Sequence, residues 1–128
     1  MAAEYKHKRY FRVRQQGSEG GAATDGGSIR TFSSTADANT KIGFTSVWNT
    51  SSPTKAEELA DSGQTLVVTY EFNSDSDQTA FKNAIDTAFV NDGDAHVWKP
   101  ATDSDHVQHF KTEWLHADGS VSVTANLL

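Results

Sequence analysis

Leu66-Val67-Val68-Thr69-Tyr70-Glu71-Phe72-Asn73-Ser74-Asp75-Ser76-Asp77 decides the fold class. Its first seven residues are rich in β-branched and aromatic side chains, the composition of a pleated, half-buried surface. Leu66, Val68, Tyr70 and Phe72 point one way, and Val67, Thr69 and Glu71 the other, as on a strand with one face in a core. The next residues stop the strand and start a helix. Ser74 can cap the helix N-terminus, Asp77 can answer it as in a capping box, and Asp75 and Asp77 favour the positive end of the helix dipole. Phe81, Ile85 and Phe89 then recur at helical spacing beside Ala80, Ala84 and Ala88, so a helix runs over 75–91 and ends at Asn91-Asp92-Gly93. A strand running straight into a capped helix makes this an α+β domain.

A partial copy lies forty residues upstream, where Phe32-Ser33-Ser34-Thr35-Ala36-Asp37 repeats the Phe, Ser and Asp spacing. It predicts a short strand over 29–33, a helix over 35–48 and thus two β-α units. Ile42, Phe44 and Trp48 sit at even offsets that suit a strand equally, and Gly43 weakens the helix. Ser52-Pro53, then Lys55-Ala56-Glu57-Glu58-Leu59-Ala60 and Gly63, predict a further short helix with Pro at its start and Gly past its end. A short strand is expected at 95–99. Asp118-Gly119 signals a two-residue hairpin turn. That turn pairs Ala117 with Ser120, Trp114 with Val123, Thr112 with Ala125 and Phe110 with Leu127, so the apolar residues of both strands share a face.

The N-terminal stretch over 4–14 alternates as well. Lys6, Lys8, Tyr10, Arg12 and Arg14 share one face, and Tyr5, His7, Arg9, Phe11 and Val13 the other, which is the better core candidate. Residues 17–28 hold five of the nine glycines and read as a flexible loop. The 128 residues suit one domain over 1–128, and thirteen aromatic residues can fill its core. Residues 1–14 have a charge balance of +4 and the rest −10, against −6 overall. An acidic body disfavours non-specific nucleic-acid binding. The chain has no Cys, which excludes disulfides, thiolate metal sites and thiol nucleophiles. It has no apolar run of membrane-helix length and no apolar leader at its start, so no membrane partner and no secretion are expected.

Candidate chemistry is sparse. His106-x-x-His109, with Asp103, Asp105 and His116 nearby, has metal-ligand residue types, but residues three apart on a strand face opposite ways. His106 and His116 share a face but lie roughly 33 Å apart along an extended strand. Asn73-x-Asp75-x-Asp77 begins like a calcium loop, then has Gln78 where an EF-hand needs Gly and Ala84 where it needs Glu. Helix capping explains it better, and turn formation explains Asp92/Asp94 and Asp103/Asp105. The Gly-rich stretch lacks phosphate-loop and dinucleotide fingerprints and carries Glu19 and Asp25, which repel phosphate. No G-x-S-x-G elbow is present. No cofactor, metal site or catalytic residue is assigned.

The basic stripe Lys6, Lys8, Tyr10, Arg12, Arg14 is the best binding candidate. It could hold single-stranded nucleic acid by phosphate contact and stacking, guard a solvated strand face, or dock on an acidic surface of another copy. The Phe-x-Ser-x-x-Asp junction and the tail Thr112-Glu113-Trp114-Leu115-His116-Ala117-Asp118-Gly119-Ser120-Val121-Ser122 resemble small uncharacterised α+β proteins of tailed marine phages, especially those of cyanobacteria. The resemblance implies a phage-encoded domain, working in the host cytoplasm or the virion, and carries over no functional residues.

The reading is a two-layer α+β domain: an antiparallel sheet of about five strands with two main helices on one face, ferredoxin-like or a variant of it. The leading function is a non-enzymatic, self-associating structural or accessory protein. The alternatives are a small dimeric α/β-barrel enzyme or ligand binder, with His96, Trp98 or His106 lining its pocket, and single-stranded nucleic-acid binding through the basic strand.

Overall fold

A computed structural model describes residues 5–15, 29–42, 51–88, 97–98, 105–116 and 118–126. The elements run β1 (Lys6–Gln15), α1 (Thr35–Ile42), β2 (Thr54–Ala60), β3 (Thr65–Glu71), α2 (Asp75–Ala88), β4 (Val97–Trp98), β5 (Asp105–Leu115) and β6 (Val121–Asn126). The fold is α+β. Its open, antiparallel sheet is five strands across, in the order β2-β3-β1-β5-β4, with β6 sharing the outer side of β5 with β4.

The deciding stretch behaves as its sequence dictates. Thr65–Glu71 is a strand between β2 and β1, and Leu66, Val68, Tyr70 and Phe72 are buried in one core cluster. Across the ladder these side chains stand beside Phe11, Arg9 and His7 of β1, so the odd residues of β1 face the same core. From the helices, Ala38 and Ile42 of α1 and Phe81 and Ile85 of α2 join that cluster. In both helices the buried apolar residues fall at i, i+4 spacing, one above the other on a single stripe. Full burial of Phe81 contributes roughly 1.5–3 kcal/mol by area.

Both capping signals are realised. The amide of Asp77 donates to Ser74 Oγ at 3.1 Å, and that of Asp37 to Ser34 Oγ at 3.1 Å. Asp37 also accepts from the amide of Ser33, just before the cap, at 2.9 Å, which ties the entering chain to the first turn of α1.

Three expectations are corrected. Of residues 53–60, predicted helical, Thr54–Ala60 form the strand β2. A left-handed turn at Asp61–Gly63, with φ of 53°, 58° and 90°, then folds the segment back onto β3, from Thr54 opposite Glu71 to Ala60 opposite Thr65. Helix propensity differences of a few tenths of a kcal/mol per residue yield to a full ladder along β3. Residues 29–33, predicted as a strand, keep only a bridge at Ile29. Their backbone divides between two partners, Arg30 N donating to Val13 O and Phe32 N to Gly63 O, each at 2.8 Å, so no single ladder can continue. The strand preceding α1 in the sheet is therefore β1.

The hairpin pairs Trp114 with Val123 and Thr112 with Ala125 as predicted, but its turn is longer. His116 N donates to Ser120 O at 2.8 Å, and Gly119 N to His116 O at 2.9 Å with Gly119 at φ 90°, the pattern of a three-residue loop. A bulge at Trp114/Leu115 absorbs the extra residue. The Gly-rich stretch over 17–28, the predicted helix end over 43–48, Phe89, His96, Ala117 and Leu127 lie outside the described residues.

Candidate functional site

The two faces of β1 give two polar sites of opposite character. Lys6, Lys8, Tyr10 and Arg12 lie half-buried on the face turned from the core cluster, as the alternation predicts. Arg14 pairs with His106 in the ladder, and the side chains of both lie outside the described residues. Antiparallel register surrounds the stripe with residues far off in sequence. Lys6 stands between Glu71 and Leu115, Lys8 between Thr69 and Glu113, and Tyr10 between Val67 and Lys111.

Carboxylates therefore interleave with the cations. The Tyr10 hydroxyl donates to Glu113 Oε1 at 2.5 Å, and Glu113 Oε2 is 3.6 Å from Lys111 Nζ. Lys111 Nζ lies 4.4 Å from the Tyr10 ring centroid, and the Arg12 guanidinium 4.6 Å from that of Phe110. Arg12 Nε donates to Gln108 Oε1 at 2.7 Å. A bulge between Tyr10 and Phe11 places Phe110 in this group. Burial, then the hydrogen bond to Glu113, pushes the Tyr10 phenol well above its usual range, with Glu58 and Asp61 adding to the effect. The phenol stays a donor and Glu113 its acceptor. The basic strand thus meets the acids of its own chain, which weakens its field for phosphate.

The core face holds a network that sequence reasoning missed. Arg9, only 1% exposed, pairs through Nη1 with Asp86 Oδ1 of α2 at 3.1 Å, and its Nε donates to His7 Nε2 at 3.0 Å. An accepting Nε2 leaves the proton on His7 Nδ1, which meets Gln78 Oε1 at 3.1 Å. Burial, then the Arg9 charge, pushes His7 down to about 3, so the ring is neutral at ordinary pH. Burial pushes the Asp86 carboxyl up, but Arg9 and Lys82 outweigh it and hold it below the usual range. Lys82 Nζ lies 3.0 Å from Asp86 Oδ2. His109 Nε2 is 3.4 Å from Arg9 Nη1 and 3.0 Å from Thr112 Oγ1.

Chemically this network is a bolt between β1 and α2. Both His7 nitrogens are engaged, and rings of Tyr70, Phe72, Phe81 and Trp114 surround it at 4.6–6.1 Å. A signal was present in the sequence: alternation turns His7 and Arg9 inward, and a buried guanidinium requires a carboxylate from a neighbouring element. In the ladder His106 pairs with Arg14 and His109 with Phe11. Among the described residues no three His, Asp or Glu gather as a metal site, and no helix is long and apolar enough to cross a membrane. No protein-family model matches this chain, and neither a curated protein nor a solved structure matches it.

Proposed function

We propose that this protein is a non-enzymatic, self-associating structural or accessory component of the phage type, acting in the host cytoplasm or the virion. The supporting observation is strand β6. Val121 and Val123, 48% and 55% exposed, are the large apolar side chains left open to solvent among the described residues, and both lie on it. Native sheet edges are ordinarily blunted by charge, proline or cover. The opposite edge strand, β2, follows that rule with Lys55, Glu57 and Glu58; β6 reads Val-Ser-Val-Thr-Ala-Asn, with neither charge nor proline. An unguarded edge with exposed valines suits pairing with another chain. Light scattering over a dilution series tests this: the expected result is a mass above the 13.9 kDa protomer that falls on dilution. A 13.9 kDa species at every concentration and salt would overturn it.

We further assign the fold to a ferredoxin-like variant. The order β5-β1-β3-β2, with helices following β1 and β3, is that of a double split βαβ unit, to which β4 and β6 add an outer layer. On this assignment both helices cover the core face, and the other carries Tyr10 and Phe110, both half-buried.

That second face supports a second reading, single-stranded nucleic-acid binding. Arg12 over Phe110 and Lys111 over Tyr10 supply cations and stacking surfaces together. Glu71 and Glu113 beside them oppose phosphate. A low-salt gel shift that is lost when Lys8 and Arg12 become Ala would support it, and no shift would end it.

A further inference from the structure

We infer that β6 is a homodimer seam: it pairs antiparallel with β6 of a second copy, about a two-fold axis centred on Val123. The inference rests on the self-association reading above and specifies its geometry. β6 is bonded to β5 on one side, and among the described residues no strand pairs with its other side. Every second residue there turns its N–H and C=O outward, a row of donors and acceptors that a further strand would satisfy.

The strand itself argues that the occupant is its own copy. Antiparallel pairing centred on Val123 sets Val123 against Val123, Ser122 against Thr124, Val121 against Ala125 and Ser120 against Asn126. Each pair matches in kind, apolar with apolar, hydroxyl with hydroxyl, and polar with polar. Such β-branched and hydroxyl pairs are favourable cross-strand neighbours. Residues 119–126 carry no charge, so two negatively charged copies meet here without like charges face to face. Pairing of β6 with the other edge, β2, would instead bury Val121 and Val123 against a strand bearing Lys55, Glu57 and Glu58. It would also be head-to-tail, which builds rings or open filaments, whereas the β6 pairing is isologous and closes as a dimer.

The test exploits the absence of native cysteine. Under mild oxidation Val123→Cys is expected to give a covalent dimer on a non-reducing gel, because directly opposed residues lie within disulfide reach. Asn83→Cys, exposed on α2, serves as the control and is expected to stay monomeric. Val123→Lys is expected to abolish association in light scattering while keeping the wild-type far-ultraviolet circular dichroism. Should that variant misfold, the Val123→Cys cross-link decides alone. If the wild type associates, yet Val123→Lys associates equally and Val123→Cys cross-links no more than Asn83→Cys, the β6 seam is refuted and self-association stands. If the wild type is monomeric throughout, self-association itself is refuted.

Discussion

A guanidinium buried at the centre of a small protein is tolerable only when paired, and Arg9 shows how this chain manages it. Asp86 reaches down from α2, and the neutral ring of His7 accepts the remaining Nε–H. Removing one partner leaves an uncompensated charge. Asp86→Asn is expected to destabilise the protein by about 2–3 kcal/mol, at or below the low end of the range for a broken buried pair because Asp86 keeps 29% of its side chain exposed. Adding Arg9→Met should recover most of the loss, and urea denaturation of the single and double variants measures both. His7 gives a pH dependence with a definite sign. Its folded pKa of about 3 lies below the ordinary value of 6.5, so in that window the unfolded chain binds a proton that the folded one does not. Stability therefore falls as pH falls from about 6.5 to 3, by at most about 1.4 kcal/mol per pH unit. Asp86 acts in the same direction at the acid end: its contribution is present above 3.8 and is lost as pH falls through its lower folded value. His7→Gln should flatten the slope between neutrality and pH 4, as read from urea midpoints at several pH values.

Among the elements, β2 is where local preference and tertiary demand diverge. Lys-Ala-Glu-Glu-Leu-Ala is good helix sequence, but β3 has a backbone edge to pair, and the turn before it returns the chain at the right distance. Thr65 Oγ1 donates to Asp61 Oδ2 at 2.7 Å and locks that turn. Gly63 is the position that makes it work. Its φ is 90°, and a Cβ there would sit 3.0 Å from Phe32 O and 3.2 Å from Thr31 Cγ2. Gly119 has the same φ with nothing within 4 Å. Gly119→Ala should therefore cost about 1 kcal/mol, the backbone penalty alone, and Gly63→Ala about 2–3 kcal/mol. Thermal or urea unfolding that ranked them equally would show that the approach of Phe32 is not constraining. The helix caps were readable for the opposite reason. A cap is a contact between residues three apart, so Ser34 with Asp37 and Ser74 with Asp77 stood in the sequence whole.

At the scale of the whole molecule, the basic segment of the chain is placed beside acidic residues from distant strands. The basic strand β1 is threaded between β3 and β5, where Glu71 and Glu113 flank its lysines. A seam made of backbone bonds and valines then predicts a particular salt response. The net charge of −6 opposes association, and salt screens it, so association should hold or strengthen as salt rises. Association driven by a basic strand docking on an acidic partner surface would weaken instead, and light scattering at low and high salt separates the two.

The α+β class, the inward face of β1, the core stripe of α2, both helix caps and the pairing of Trp114 with Val123 follow from the sequence by itself. Each depends on periodicity or on contacts between near neighbours. Only the tertiary structure decided that 54–60 is a strand, that Arg9 and His7 are bolted to α2, and that carboxylates from other strands surround the basic stripe. Those outcomes depend on which distant residues a ladder brings opposite one another, and register across a sheet is set by the packing of the whole core.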